Sequence, residues 1–520
     1  MGVVFPGVRG EGMACLALHQ LYRLINGIPR FMGERLFYDG AAPRSVEGDR
    51  PAGEFRLLAV TLPGEEHAAR LPHFLKLAGI PPRSAARKPS DPLILVGGIA
   101  VRLNPRPLLP FVDAFVPGDA EPVMGPLLQG LEGNPGRDEV LAAWARIQGV
   151  GVPAAGALPV RARFDASGEP VAQVISEADT SLPGIFLVET GRGCPAGCRF
   201  CAIGFSRRPP VFFDPARVAH AAAPGVERGL RIGLVGASLS LHPGLPDILE
   251  QLPGADLSVA SLQPSFLAGP AGAALLRRLQ GGSLRRITLA LEAGSESLKR
   301  KLNKGWDRAA LLEAVARVGE AGALGLKLYL MYGLPEEEDT DLEEAVALVA
   351  AVRHRLHQAH RGRGRTGSIA VSANPFVPKP HTPFAGEPMA PLRELRRRRD
   401  LLFGGLRCLG GVEVSGASPR EALLQCLLDR ADEGLATILE RTEGRWPPRA
   451  EIQRELQPEI EQRVLSPFRP DRAPVDLGVD PAFLARERER ARGAFSTPAC
   501  IPASCRACGA CGEPAEPTVP

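Results

Sequence analysis

Short aliphatic and β-branched runs alternate with helix-patterned stretches along most of this chain, and that alternation constrains its fold more than any other feature. In the first part the runs are Val3 to Phe5, Phe55 to Leu62, Leu93 to Val96 and Ala114 to Val116, with helical patterns such as Gly12 to Ile25 and His67 to Leu77 between them. Repeated β-α alternation predicts parallel strands joined by helical crossovers, with helices covering both sheet faces. A Gly/Pro/Ala-rich stretch from Gly149 to Pro159 and the turn sequence Ser181-Leu182-Pro183-Gly184 then interrupt the pattern. Six more runs follow: Gly184 to Glu189, Arg231 to Gly236, Leu257 to Leu262, Arg286 to Leu291, Leu326 to Met331 and Ser368 to Ala373. Between them, Asp307 to Gly322 carries Ala310, Leu311, Ala314, Val315 and Val318 on one helical face. Six β-α units predict a partial barrel, in which chemistry gathers at the C-terminal ends of the strands.

Directly after the first of those six runs comes Glu-Thr-Gly-Arg-Gly-Cys-Pro-Ala-Gly-Cys-Arg-Phe-Cys, placing Cys194, Cys198 and Cys201 in a CxxxCxxC loop at a strand end. Three soft ligands at short spacing suit an iron-sulfur cluster, but most clusters take four cysteines. A set of three leaves one iron without a protein ligand, as open catalytic metal sites do. A zinc knuckle would need a fourth Cys or His nearby, and none follows. A redox CxxC would leave Cys194 unexplained. A second set, Cys500, Cys505, Cys508 and Cys511, closes the chain as CxxxxCxxCxxC. Four thiolates suit a closed site holding either zinc or an auxiliary iron-sulfur cluster. The tail from Pro498 to Pro520 has little apolar content, so its order is expected to depend on metal. Cys15, Cys408 and Cys426 stand alone and are expected to be small buried apolar residues.

The central motifs resemble the radical S-adenosylmethionine superfamily. The resemblance implies a [4Fe-4S] cluster on Cys194, Cys198 and Cys201, with the amino acid end of S-adenosylmethionine on the open iron. It implies reductive cleavage to a 5'-deoxyadenosyl radical, a reductant such as flavodoxin or ferredoxin, and a substrate it does not identify. It further implies that Gly236-Ala237-Ser238 contacts the methionine amino group and that Glu292 lies near the ribose. The segment from Lys327 to Pro335, with Gly333, would border the adenine, and Asn374 to Phe384, with Val377, matches the sixth-strand ending. Phe200, just before the last cysteine, joins these cofactor-binding residues. No catalytic side chain beyond the cluster is assigned.

More narrowly, the chain resembles a group with a cobalamin-binding-like N-terminal domain and a Cys-rich tail. That match rests on Phe5-Pro6, Gly12-Met13, Leu93 to Gly98, Asp113 to Glu121 and Val475 to Val479. The Asp-x-His-x-x-Gly motif that supplies an axial histidine in many cobalamin domains is absent, and the nearest sequence is Glu65-Glu66-His67-Ala68-Ala69-Arg70. Cobalamin therefore stays open, as does cobalamin-dependent methyl transfer.

The expected architecture is α/β: a Rossmann-like, cobalamin-binding-like domain over 1–148, a linker over 149–181, a partial (β/α)6 barrel over 182–390, a mainly helical region over 391–497 and a metal-binding tail over 498–520. A chain of 520 residues exceeds one core. No run reaches the roughly 18 apolar residues of a membrane span, and the start lacks a secretory pattern, so a cytoplasmic protein is expected. Only seven of the 62 basic residues are Lys, and the net charge is +4, so composition names no nucleic-acid partner. Arg393 to Arg399, with Arg361, Arg363 and Arg365, reads first as a solvated face and second as a grip on a phosphate-bearing substrate. The rival class is a non-catalytic iron-sulfur or zinc-binding regulator.

Overall fold

In the computed structural model, which describes every residue except 157, 166, 176–179, 280–285, 362–366, 469–473, 502–503 and 512–520, the alternating runs form parallel sheets. The first holds β1 (Gly2–Phe5), β2 (Glu34–Phe37), β3 (Leu57–Thr61), β4 (Leu93–Gly97) and β5 (Ala114–Val116). Its order is β2-β1-β3-β4-β5, all parallel. Helices cover both faces, so these strands are buried on each side and read as continuous apolar runs rather than alternating ones. The exception, β2, has the sequence Glu-Arg-Leu-Phe and went unforeseen. Its Glu34 and Arg35 are only 5% and 4% exposed, and are paired by Ser45 Oγ at 2.5 Å and by Glu47 at 2.6 Å, respectively. Buried charge that finds partners does not register as hydrophobic pattern.

The second unit is built from β6 (Ile185–Glu189), β7 (Arg231–Val235), β8 (Leu257–Val259), β9 (Arg286–Glu292), β10 (Gly325–Tyr332), β11 (Ser368–Pro375) and β12 (Val412–Ser415). Strands β6 to β8 and β9 to β12 form two parallel sheets, joined where Leu262 N–H donates to Thr288 O at 2.9 Å. The partial barrel thus has the six expected strands and a seventh, β12, drawn from the region expected to be mainly helical. In β9, β10 and β11 alternate residues are buried or half-exposed. Leu289, Leu328 and Val371 pack into the main core, while Thr288, Lys327, Tyr329, Ser372 and Asn374 line the opposite, hollow face.

Residues of the expected linker lace the units together. Gly151 bridges to Phe115, Ala172 to Val188, and Val160–Arg161 pairs with Val475–Asp476. A buried ionic knot completes the seam. Asp119, just after β5, accepts from Arg102 at 3.1 Å, from Arg192 at 3.1 Å and from Arg207 at 3.4 Å. Arg192 also binds Glu121 at 2.7 Å and Glu189 at 2.9 Å. Burial alone would raise Asp119, but the three guanidinium groups hold it below the ordinary carboxylate value. Residues of the first sheet's loops and of the barrel therefore share one set of charges. No helix among the described residues is long and apolar enough to cross a membrane.

Removing one partner of a buried ion network strands the others, at a cost of about 3–5 kcal/mol. Asp119→Ala is therefore expected to destabilise the protein by about that amount in a urea denaturation series, with Asp119→Asn intermediate. A loss under about 1 kcal/mol would mean the seam is effectively solvated.

Candidate functional site

The C-terminal ends of β3, β4 and β5 face those of β6 and β7 across a cavity of about 530 Å³. Its walls include Thr61, Gly97-Gly98, Val116, Met124, Gly191 to Gly193 and Val235 to Ala237. This is where open parallel sheets place their ligands, in the crevice beyond the strand ends. Gly98 has φ +106°, and a Cβ there would stand 2.6 Å from Leu62 O, so only glycine lets the chain turn at this edge. Among the described residues no histidine lines the cavity, and His67 packs instead against the Phe5 ring and beside Glu66.

The stem of the cysteine loop, Gly191 to Gly193, forms part of that wall. The loop then turns through two left-handed glycines, Gly193 (φ +75°) and Gly197 (φ +69°). It carries few apolar side chains of its own, and Arg199 holds it in shape. This guanidinium is fully buried and donates to Glu487 at 3.1 Å, Arg300 O at 3.0 Å, Lys301 O at 3.1 Å, Phe495 O at 2.7 Å and Thr497 Oγ1 at 3.0 Å. Asn303, in the left-handed conformation closing the helix Glu296–Leu302, donates to Gly197 O at 3.2 Å.

Burial pushes the Cys198 thiol up to about 12 and raises Cys194. Lys304 pulls both the other way. Burial would strip Lys304 of its charge, yet Cys198 and Glu292 keep its value above the ordinary one. Lys304 pairs with Glu292 at 3.3 Å. Glu292 ends β9 with φ +69° beside a register shift, a conformation that costs a non-glycine residue about 1–3 kcal/mol and gathers at functional sites. Among the described residues no three Cys, His, Asp or Glu side chains close on a single-ion site. A cluster takes each thiolate on a different iron, so the donor chemistry is the test. Three thiols in mutual electrostatic reach, with two nearby cations in Lys304 and Arg208, fit that group.

The other expected site residues divide. Gly236 and Ala237 line the cavity, and a Cβ on Gly236 would meet Thr190 Oγ1 at 2.5 Å. Ser238 sits just beyond, at the start of the turn Leu239–Leu241. Phe200 and Glu292 meet through Lys304, whose Nζ lies 5.9 Å from the Phe200 ring. Lys327 is on the hollow face of β10, 5.2 Å from the Tyr329 ring. Val377 packs against the main core, and Gly333 is pressed by Leu395, 2.5 Å from where its Cβ would be. Neither lines the 530 Å³ cavity. Gly333 N–H instead donates to the buried Glu337 at 2.6 Å.

The arginine-rich helix Leu392–Arg407 spends much of its charge internally. Arg397 binds Asp339 at 2.7 Å, Arg398 binds Glu337 at 3.1 Å and Glu394 at 2.6 Å, and Arg399 binds Asp400 at 2.8 Å. Those pairs engage Arg397, Arg398 and Arg399, while Arg363 and Arg365 lie outside the described residues. Of the lone cysteines Cys426 is buried and Cys15 half-buried, but Cys408 is exposed at the C-cap of that helix, contrary to expectation. In the tail, Cys500 and Cys508 are 9% and 2% exposed, and Cys508 packs with Phe205 and Phe483. Lys304, Arg199, Asn303 and Arg208 were not singled out from the sequence. Only the position of Arg199 inside the cysteine motif signalled any of them.

Residues 188–349 match the Radical SAM superfamily model, and residues 17–153 match that of Radical SAM proteins, N-terminal. An uncharacterized protein of Methanocaldococcus jannaschii is 24% identical over 450 residues, 85% of this chain and 90% of its own. Among solved structures, the radical S-adenosylmethionine methyltransferase TsrM from Kitasatospora setae, with cobalamin and a [4Fe-4S] cluster bound, aligns at 15% identity over 75% of this chain and 80% of its own, TM-score 0.49. The cobalamin-dependent S-adenosylmethionine radical enzyme OxsB, with aqua-cobalamin and S-adenosylmethionine bound, aligns at 11% identity over 94% and 78%, TM-score 0.48.

Burial pushes Glu337 up to about 7 from an ordinary 4.5, despite Gly333 N–H and Arg398. Because the folded value lies above the unfolded one, folding takes up a proton. The resulting stability is present in full below about pH 4.5 and is lost as pH rises through about 7, on the order of 3 kcal/mol in all. Denaturation midpoints of Glu337→Gln measured from pH 4.5 to 8 are expected to fall less steeply than those of the parent. Parallel profiles would show that Glu337 ionises normally.

Proposed function

Through its central domain, residues 188–349, the chain belongs to the radical S-adenosylmethionine superfamily and is an enzyme of that class; from that premise we propose that Cys194, Cys198 and Cys201 hold its [4Fe-4S] cluster. The observation that supports this most directly is the position of the three thiols on one loop at the end of β6, in electrostatic reach of Lys304 and of Glu292 at the end of β9. When bound, the cluster and S-adenosylmethionine together supply a 5'-deoxyadenosyl radical, which acts on a substrate whose identity the fold does not specify.

The chain's own residues bind, orient and balance charge. Lys304 and Arg208 offset the negative charge of three thiolates. Cys194 and Cys198, raised by burial, release protons as metal binds, so loading is favoured at higher pH. Gly236 and Ala237 present small residues and free backbone at the cavity wall, the arrangement suited to an amino acid moiety. The half-exposed face carrying Thr288, Lys327, Tyr329, Ser372 and Asn374 offers polar groups to a substrate. A one-electron reductant of the flavodoxin or ferredoxin kind is required. Cys500, Cys505, Cys508 and Cys511 are the ligand set for a second centre, zinc or iron-sulfur, and among the described residues no three of them close on a single-ion site before metal is bound.

A second reading concerns the 530 Å³ cavity, which falls in the range of about 300–1,000 Å³ typical of small-molecule sites. Its place at the ends of β3 to β5, in a sheet of flavodoxin-like order, supports cobalamin there, bound without a protein histidine. The reaction would then be methyl transfer.

Anaerobic reconstitution followed by reduction with S-adenosylmethionine present is expected to yield 5'-deoxyadenosine, with the yield falling at least about 100-fold when the three loop cysteines become Ala, about 2.7 kcal/mol in barrier terms. A fully loaded cluster that releases no nucleoside would overturn the reading. Metal analysis of a variant with Ser at all four tail positions should show one centre lost and the first retained. Hydroxocobalamin is expected to co-elute with the protein in a near-equimolar ratio by absorption spectrum. Its complete separation would leave the cavity to substrate alone.

A further inference from the structure

The two cysteine sets, nearly three hundred residues apart in sequence, share a wall. Cys500 N–H donates to Pro195 O at 2.8 Å, inside the first cysteine loop. Three residues earlier, Thr497 N–H donates to Asn303 Oδ1 at 2.8 Å while Asn303 Nδ2 returns a bond to Thr497 O at 3.1 Å. The same Asn303 Nδ2 reaches Gly197 O, and Arg199 reaches Phe495 O and Thr497 Oγ1. The tail is thus hydrogen-bonded to the backbone that carries the first three thiols.

Between the sets stands Arg208. It is 6% exposed, and its Nε donates to Gly204 O at 2.5 Å. Its guanidinium carbon lies 4.6 Å from the Phe205 ring centroid and 5.7 Å from that of Phe483, the two aromatic rings that also enclose Cys508. Its Nη2 comes to 3.9 Å from where a Cβ on Gly197 would stand, and it is in electrostatic reach of both Cys194 and Cys500. Among the described residues neither Nη finds a hydrogen-bond acceptor or a carboxylate, whereas neighbouring Arg199 and Arg207 are engaged by both. Neither Nη is among the fully buried unpaired side-chain atoms, so both remain available to an anion between the two loops, while the aromatic faces hold the guanidinium in place.

We propose that Arg208 is the shared counter-cation of two metal-thiolate centres, one on Cys194, Cys198 and Cys201 and one on Cys500, Cys505, Cys508 and Cys511. Through it, occupancy of the tail sets the reduction potential of the first centre. The proposal rests on the reading of the loop cysteines as a cluster site. A divalent core bound by four thiolates is a net dianion, whether the core is Zn²⁺ or an oxidised [4Fe-4S]²⁺, so the coupling does not depend on which metal the tail takes. Cluster potentials respond to net charge and to hydrogen bonds on sulfur. Reduction adds an electron from an external one-electron donor, so a nearby cation favours it and a nearby dianion opposes it. Arg208 is a positioning residue here, acting on the potential rather than on substrate.

The test is a redox titration of the reconstituted full-length protein, followed by electron paramagnetic resonance of the reduced first cluster without S-adenosylmethionine. Arg208→Gln is expected to lower the reduced-to-oxidised ratio about tenfold at a fixed potential, about 59 mV for a one-electron couple. Arg208→Lys, which keeps the charge, should stay within about threefold of the parent. Ser at all four tail positions, with Arg208 intact, should raise the ratio by a similar tenfold. An unmoved ratio in Arg208→Gln overturns the proposal. So does an unmoved ratio in the tail variant, which answers even if Arg208→Gln fails to take up the cluster. A parent protein that yields no reduced-cluster signal would instead overturn the cluster reading itself, before any variant is compared.

Discussion

The hydrogen bonds of Arg199 are the constraint on which the site depends. The loop from Gly193 to Cys201 contains two left-handed glycines and almost no apolar mass, so burial of its side chains cannot define its shape. Instead a buried guanidinium within the motif spends its donors on the helix Glu296–Leu302, on Glu487 of the helix Pro481–Arg492 and on the start of the tail. An Arg fork has five N–H donors in fixed geometry, and a lysine in its place could not reach the same acceptors. The loop, the helix Glu296–Leu302 and the C-terminal segment are therefore located relative to one another by this side chain, seconded by Asn303.

Around that anchor the molecule places charge where charge is needed. Lys304 and Arg208 approach the cysteine loop from different elements, one following β9 and one following the loop itself. Elsewhere arginines are consumed in pairs: Asp119 gathers three of them at the seam, and Glu337, Glu394 and Asp339 absorb those of the helix Leu392–Arg407. Many of the described guanidinium groups are thereby spent on carboxylates within the protein.

The cavity follows from topology. Strands β3 to β5 end on one side of it and the first barrel strands end on the other, so glycines and short turns converge there without any one sequence motif specifying the space. The hollow barrel face arises the same way, from period-two alternation in β9 to β11 with polar or small residues pointing inward. At Glu292 a left-handed backbone coincides with the ion pair to Lys304.

Much of this was legible beforehand. The strand runs, their parallel arrangement and the three-thiol loop at a strand end follow from local pattern: β-branched residues, turn residues and ligand spacing act within a few residues of one another. The missed strands β2 and β12 failed that pattern, since β2 buries Glu34 and Arg35 through ion pairs and β12 is a half-exposed edge, Val-Glu-Val-Ser. Gly333, expected beside a cofactor by resemblance, packs on Leu395, and Val377, expected likewise, packs on the main core. What the sequence alone determined is the chemistry available, because thiols and their spacing are written locally. Only the tertiary structure decided that Lys304 and Arg208 flank those thiols and that the two cysteine sets touch, because these contacts join residues far apart in the chain, and no local periodicity carries information about which distant charges a fold will bring together.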